Sequence, residues 1–543
     1  MKQVKQNTVI PLLALAAAVA PLMDASAEAR RVMNIVNFMR GCDPRHPDWD
    51  MTKVLKEEVW FNQKFHLKNT ILLQYDAMLR KDLMDVALSS DPELTEFGLW
   101  FELVRPLCDA TGITWRGRPG WDWDWHACPT FLMAYTPEER ERLCDEMMRL
   151  FKEKFGRLPE SVGSWILDAH SMAYMSEKYG VKAFCICREQ DNTDAEGLRG
   201  GYSNGAYYPS RRNMLSAARD MKNGIRTPVF RMLTPDPIYN YGRPQTLYDG
   251  PRQLISRVAK RECPTLEPVW YGGNNRETVD WYFDTYLRSP GLLNLSYMST
   301  GQENGFEWER VSMGLGYQMM KIKWERDEHG LIVETLAETG KRFIADHPEN
   351  CPQTQVAVKD WSGYDRRSVW YNSRFYRGNL FIEGERLCFR DIHAMRDDFD
   401  EPYLDTACHL WEVNYFTPPL VDTWMDRGDR EKSETERGDM VFEGAFVALG
   451  VETPDDKTLA VTATRTDGSV VRIVFSEDRV SVSGSPLVWE LNANRRAEIA
   501  VEDGRLVRTF HGYRLPVGLT GRAEKTDGGY RILPTEKEIV FGF

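Results

Sequence analysis

The stretch that decides the fold is VGSWILDAHSMAYMSEKYG, residues 162–180. It combines a short apolar run that ends at Asp168, a loop that carries His170, and a segment with the composition of a helix. This order predicts a strand followed by a helix, which is the repeating unit of (β/α) barrels. An acidic side chain at the carboxyl end of such a strand is held rigidly, while the surrounding loops supply specificity. The stretch therefore favours an enzyme built on a barrel.

The same alternation continues on both sides of this stretch. From about residue 31 to residue 348, short apolar runs alternate with helical segments, as expected for βα units around a parallel sheet. Helices are predicted at 137–155, 279–287 and 308–324, the first of them with an acidic first turn and a basic last turn. Seven or eight such units fit a closed (β/α)7-8 barrel better than an open sheet, so we predict this barrel for residues 28–350. The candidate strands are 32–38, 70–75, 97–101, 162–167, 183–187, 229–233, 269–271 and 293–298.

The pattern of apolar and polar residues changes after Cys351 and Pro352. Apolar residues alternate with polar residues at 459–464, 470–475 and 480–483, and Asp-Gly turns separate several of these runs. A period of two with such turns is typical of antiparallel strands. Residues 351–543 are therefore predicted to form a mainly antiparallel β-sandwich region.

The first 27 residues predict a secretory signal peptide. Lys2 and Lys5 precede an apolar run, and Ala25-Ser26-Ala27 offers a cleavage site of small residues. The run is too short to serve well as a membrane span, and no later segment is apolar for long enough to cross a bilayer. We therefore expect an exported protein, periplasmic or extracellular, without membrane insertion. Some of its 10 cysteines can pair after export, although a chain this long does not depend on a disulfide framework.

The charge balance excludes some classes of partner. The chain has 69 Lys and Arg against 81 Asp and Glu, a net charge of −12, which repels nucleic acid and anionic membranes. A neutral substrate is favoured. The 17 tryptophans and 22 tyrosines suit a carbohydrate, because flat ring faces pack on the C–H faces of sugars. Packing in the core and between domains is the alternative role for most of these rings.

Acidic residues recur at or just beyond the ends of the candidate strands. Cleavage of a glycosidic bond by the usual route needs two carboxyl groups, one to donate a proton and one to attack carbon or activate water. A solvated loop charge or a helix cap is the alternative role for each of them. The acids at strand ends are Asp43, Asp76, Glu102, Asp168, Asp191, Asp194 and Glu303.

Residues 165–171, WILDAHS, resemble the segment that carries the nucleophile in retaining α-mannosidases. That family shares a distorted (β/α)7 barrel with a family of retaining α-glucan-active enzymes and with the polysaccharide deacetylases. The resemblance implies an exported retaining glycoside hydrolase. It implies that Asp168 is the nucleophile and that Glu303, in the segment 299–305, is the acid/base. Glu102 and Asp194 are the next acids to consider.

The sequence departs from these families at the metal site. A mannosidase would place a His-x-His-x-Asp motif at the first strand end, where this chain keeps only Asp43 and Pro44. A deacetylase would place a His-x-x-x-His pair near the third strand, where Trp100 stands instead of the first histidine. Zinc needs about three protein ligands, so we predict no metal and no cofactor. A deacetylase-like carbohydrate esterase and a non-catalytic glycan-binding protein remain as alternatives.

The segment 120–126, GWDWDWH, is the other unusual feature of the barrel region. An extended conformation would put its three tryptophans on one side and its two aspartates on the other. Above a barrel these rings would form a wall for sugar stacking, whereas in a structural strand they would be buried. The predicted substrate-binding residues are Asp43, Trp100, Glu102, Trp121, Trp123, Trp125, His126, His170, Arg188 and Asp194.

Overall fold

A computed structural model describes residues 29–193, 195–240, 264–270, 272–423, 438–490 and 498–543. Seven parallel strands form its first sheet, in the order β7-β1-β2-β3-β4-β5-β6, and Ala206–Tyr207 adds an antiparallel strand beside β6. The seven are β1 Arg30–Met39, β2 Asn69–Leu73, β3 Thr95–Trp100, β4 Ser161–Gly163, β5 Ala183–Cys187, β6 Val229–Met232 and β7 Leu295–Thr300.

This sheet is curled into a nearly closed barrel. The gap between its first and last parallel strands is bridged by Thr234, whose backbone N–H donates to the Ser299 carbonyl at 2.9 Å and whose hydroxyl accepts from the Ser299 N–H at 2.7 Å. The strand Ile332–Glu334 also pairs in parallel with the first half of β1. The mixed α/β fold and the barrel sheet that the sequence predicts are therefore confirmed.

One predicted strand is wrong. Val269 and Trp270 lie in a turn, so the parallel strands come from the other seven candidates. Pro268, in the same turn, has no N–H to donate to a sheet, and the Val269 N–H donates to the side chain of Gln302 at 3.1 Å. β4 is also shorter than predicted and ends at Gly163.

The helices follow the barrel strands. The predicted helix Pro137–Phe155 is confirmed with a capping box between Thr136 and Glu139, and Gly156 ends it with a φ of +69°. The helices of the described residues are Lys53–Phe65, Tyr75–Leu79, Lys81–Ala87, Arg105–Thr111, Ala127–Thr130, Pro137–Phe155, Ala169–Tyr179, Arg276–Arg288, Trp308–His329 and Leu336–Asp346. None of them is both long and apolar enough to span a bilayer.

The antiparallel strands predicted beyond Cys351 are confirmed. They form two large sheets, and inward side chains from both, such as Leu380 and Ile473, share one apolar core. The first sheet contains Gln353–Ala357, Arg366–Asn372, Tyr376–Glu383, Arg386–Ala394, Pro419–Asp422, Met440–Phe442, Leu487–Glu490, Arg522–Lys525 and Gly529–Leu533. The second contains Phe446–Glu452, Leu459–Arg465, Val470–Ser476, Arg479–Ser483, Glu498–Glu502, Arg505–Phe510, Tyr513–Thr520 and Glu538–Gly542.

The later half of the chain also returns to the barrel. The strand Val413–Phe416 pairs in parallel with Glu196–Arg199, which in turn pairs with Gln190–Thr193 after β5. The signal peptide and export stay predictions because residues 1–27 lie outside the described part. A domain boundary at 350–351 also stays a prediction. The nine cysteines in the described ranges are all free.

Candidate active site

A cavity of about 310 Å³ opens at the carboxyl ends of the barrel strands. Loops that follow β1, β3, β4, β5, β6 and β7 all contribute side chains to it, as expected for the functional end of a barrel. Its acidic, basic and aromatic wall residues are Arg40, Arg45, His46, Trp49, Glu102, Trp123, Trp125, Phe131, Trp165, Arg188, Glu196, Glu267, Trp270, Glu303, Phe306 and Arg310.

Glu303, the predicted acid/base, lines this cavity together with the predicted Glu102. It follows β7 and is held against β1 through a parallel bridge with Phe38. Its side chain is buried, with Oε2 lying 2.5 Å from Nη1 of Arg40. Burial raises the pKa of Glu303 to about 7, since the opposing charge of Arg40 is weaker than this effect and the charge of Glu102 adds to it. Near neutral pH, Glu303 can therefore both donate and accept a proton.

Arg40 connects Glu303 with a second carboxylate. Its Nε and Nη2 donate to the two oxygens of Glu102 at 2.6 and 2.7 Å, and its guanidinium lies 4.4 Å from the ring centre of Trp123. Burial by itself would lower the pKa of Arg40, but the charges of Glu102 and Glu303 outweigh it and raise that pKa. A permanent cation is thus fixed between the two acids.

Asp43 supports the cavity wall from behind. Its side chain is fully buried and accepts from Nη2 of Arg45 at 2.6 Å. Burial opposes ionisation, but the hydrogen bonds and charge of Arg45 hold the pKa of Asp43 below its ordinary value. Arg45 in turn lies 4.8 Å from the ring centre of Trp123 and 5.4 Å from that of Trp125. Asp43 therefore positions Arg45 and does not itself line the cavity.

The tryptophan segment is irregular and divides its rings between two environments. Trp123, which is buried, and Trp125 both line the cavity, whereas Trp121 does not line it and packs against Trp125 with ring centres 5.3 Å apart. The buried Asp124 accepts from Arg118 at 2.8 and 2.9 Å and lies 2.8 Å from Nδ1 of His126. The single extended face that an alternating strand would give is therefore absent from this segment.

Trp100 lies beneath the cavity. It is fully buried and stacks on Phe38 with ring centres 3.9 Å apart. Trp165, which does line the cavity, contacts both rings edge-on. Trp100 therefore supports the floor and is not part of the wall that a substrate would touch.

Asp168 and His170 are not among the residues that line the cavity. Asp168 caps the helix Ala169–Tyr179 by accepting from the N–H and the hydroxyl of Ser171, and it also accepts from Nη1 of Arg140 at 3.0 Å. His170 lies 3.2 Å from Glu141. Asp168 thus fills a helix cap and a buried ion pair, and the structure does not bring it to the cavity that Glu303 lines. Asp194 lies outside the described residues.

A second acidic wall was not predicted from the sequence. Glu196 accepts from the side chain of Gln190 at 2.6 Å, and Glu267 lies 3.4 Å from the side-chain nitrogen of Gln302. Both acids line the cavity, as does the predicted Arg188. Both acids lie well beyond the ends of β5 and β6, so the pattern of an acid directly after a strand does not identify them.

Among the described residues, the cavity wall contains no cluster of three side chains with the spacing of metal ligands. Deacetylases of this fold class bind their metal through imidazoles, whereas His46 is the only histidine on this wall among the described residues. Here Arg40 already binds Glu102 and Glu303. One group in the described ranges, Asp391 with His393 and Asp422, has the spacing of metal ligands. It is buried in the antiparallel region, where Asp391 already binds the guanidinium of Arg377 at 2.6 and 3.0 Å.

Comparison with known proteins extends the fold assignment. No protein-family model matches the sequence, and no curated protein does. A Parabacteroides distasonis protein provisionally assigned as a glycoside hydrolase/deacetylase has a similar structure, with a TM-score of 0.57 and 14% identity over 76% of this chain and 96% of that chain.

Two further structures are more distant. A provisionally assigned polysaccharide deacetylase of Mycobacterium smegmatis has a TM-score of 0.34 and 8% identity, covering 59% of this chain and 93% of its own. The allantoinase Puue has a TM-score of 0.35 and 12% identity, covering 63% of this chain and 99% of its own. The predicted distant resemblance to the glycoside hydrolase/deacetylase barrels is confirmed at the level of the fold.

Proposed function

We propose that the protein is a carbohydrate-acting hydrolase that cleaves glycosidic bonds, with Glu303 as the proton donor. The observation that carries this proposal is a buried carboxyl with its pKa raised to about 7, on the wall of a cavity at the carboxyl end of a barrel. A leaving sugar oxygen needs such a proton near neutral pH.

Glu102 is the proposed partner of Glu303. Both carboxylates bind the guanidinium of Arg40, and both line the cavity. Paired acids of glycosidases lie about 5 to 5.5 Å apart in retaining enzymes and about 6.5 to 9.5 Å apart in inverting ones. In this proposal, Glu102 supplies the negative charge that faces the anomeric carbon, and the anomer of the first product identifies the route.

The aromatic walls support a sugar as substrate. Trp125, Trp165 and Trp270 line the cavity together with four acids and four arginines, so the wall has rings for stacking and a nearly balanced charge. Flat rings bury the apolar faces of a neutral sugar, and the charged groups can bind its hydroxyls.

Asp168 is set aside as nucleophile in this proposal. Its side chain caps the helix Ala169–Tyr179 and pairs with Arg140, and Asp168 is not among the residues that line the cavity. A group that attacks an anomeric carbon must reach the substrate, which here is proposed to bind beside Glu303.

Ester cleavage is the second candidate. The Parabacteroides distasonis protein of similar fold carries both activities in its assignment. Removal of acetyl groups by a metal would require several imidazole ligands, and the described cavity wall offers one, His46. Carbohydrate deacetylation is therefore treated as the competing outcome of the test.

The test is a panel of neutral and acetylated glycans, with reducing ends and released acetate measured in parallel. We expect new reducing ends from the wild type and their loss in Glu303→Gln and Glu102→Gln. Glu141→Gln, at a half-exposed acid outside the cavity, is the matched control and should keep wild-type turnover. Release of acetate without new reducing ends would reject glycosidic cleavage and favour a carbohydrate esterase. Binding without either product would favour a glycan-binding protein.

A further inference from the structure

Trp411 is an exposed aromatic ring that contacts His126, the neighbour of the cavity residue Trp125. Its side chain is 56% exposed and that of its neighbour Leu410 is 57% exposed, although most tryptophans of the described residues are buried or half-buried. A large ring that is left in water close to a binding cavity suggests a contact surface for a ligand.

The segment that carries Trp411 is fixed to the cavity walls on both sides. Before it, the Cys408 N–H donates to the Met133 carbonyl at 2.7 Å, and the Ala127 N–H donates to the Trp411 carbonyl at 3.3 Å. After it, Val413 begins the strand that pairs with the strand of Glu196, which lines the cavity. The ring is therefore held in place before any ligand arrives.

Aromatic contacts lead from the cavity to this ring. Trp125 lines the cavity and stacks on His126 with ring centres 5.4 Å apart, and His126 meets Trp411 edge-on at 4.4 Å. His126 is itself held by the buried Asp124 at 2.8 Å. The rings of Trp125, His126 and Trp411 thus form a continuous path, which we call the aromatic ramp.

The cavity is small for a long glycan. Its volume of about 310 Å³ is near the lower end of the usual range for ligand pockets, roughly 300 to 1,000 Å³. A substrate with more than a few sugar units must therefore continue outside the cavity. The ramp leads from Trp125, whose ring is covered by the guanidinium of Arg118 at 4.0 Å, to the exposed ring of Trp411.

We propose that the aromatic ramp is a distal subsite for a neutral oligosaccharide or polysaccharide chain, with Trp411 as its outermost platform. This inference rests on the proposed carbohydrate substrate but not on bond cleavage. It deepens the proposed function by assigning a chain longer than the cavity as the preferred substrate.

The test is a binding measurement with neutral gluco- and manno-oligosaccharides of two to six units, made by calorimetry on the full-length protein. In the wild type, affinity should rise with chain length. In Trp411→Ala, the longest chains should bind about two- to tenfold more weakly, while the shortest ones should bind as before. Trp411→Phe should recover part of the loss. Trp60→Ala, at a similarly exposed ring on the helix Lys53–Phe65, is the matched control.

Several results would overturn the subsite. These are affinity independent of chain length, equal loss for short and long chains in Trp411→Ala, no binding of any chain, or a loss of dimerisation in Trp411→Ala seen by sedimentation. Length-dependent binding through Trp411 without any cleavage would support the subsite and reject the hydrolase proposal. The two proposals therefore fail separately.

Discussion

The buried carboxyl of Glu303 predicts a measurable dependence of stability on pH. Burial raises its pKa from the ordinary 4.5 to about 7 in the folded protein. Each unit of pKa difference between the folded and unfolded states corresponds to about 1.4 kcal/mol, so this shift corresponds to about 3 kcal/mol. The folded state binds the proton more tightly. The contribution to stability is therefore fully present below about pH 4.5 and is lost as the pH rises to about 7.

Replacing Glu303 with Gln removes the titrating group and keeps the shape of the side chain. Between pH 4.5 and pH 8, the free energy of unfolding of the wild type should fall by about 3 kcal/mol more than that of Glu303→Gln. Urea unfolding followed by tryptophan fluorescence at several pH values measures this difference. Glu153→Gln, at an exposed acid, is the control and should follow the wild type. A constant difference between Glu303→Gln and wild type across this range would refute a raised pKa at Glu303.

Three further predictions concern Asp168, Trp125 and the dependence of turnover on metal. Asp168→Asn should destabilise the protein by about 2 to 4 kcal/mol, because Arg140 loses its buried partner, but the folded variant should keep most of its kcat/KM. A loss of several orders of magnitude would instead restore Asp168 as the nucleophile. Trp125→Ala should raise KM about tenfold with little change in kcat, since its ring binds the substrate without joining the reaction; an unchanged KM would exclude the ring from the binding site. Turnover should survive treatment with a chelator, and loss of turnover that zinc restores would contradict the carboxylate mechanism.

The barrel could be predicted because its signals are local. The helix Pro137–Phe155 has its capping box, charged ends and terminal glycine within 20 or so residues, so the sequence alone determines its limits. Glu303 could be predicted from its position after the last parallel strand. In both cases a short stretch of chain carries the information.

Asp168 illustrates where such reasoning stops. An acid at the end of a strand has the same sequence pattern whether it faces a substrate or caps the next helix, and here the cap is what the structure contains. The pairing of Arg40 with Glu102 joins residues 62 positions apart, and nothing in either local sequence indicates it. Glu267 escaped prediction because the sequence predicts a strand at 269–271, which puts Glu267 before a strand and not after one.

The most direct test of the account is the dependence of Glu303→Gln on the leaving group. The measurement is kcat/KM on aryl glycosides of the sugar that the panel identifies, with leaving groups from dinitrophenol to simple phenols. If Glu303 donates the proton, the variant should lose about 100- to 10,000-fold on the poorest leaving groups and less than about tenfold on dinitrophenol, which needs no proton. An equal loss on every leaving group, or no loss on any, would contradict the assignment of Glu303 as the proton donor.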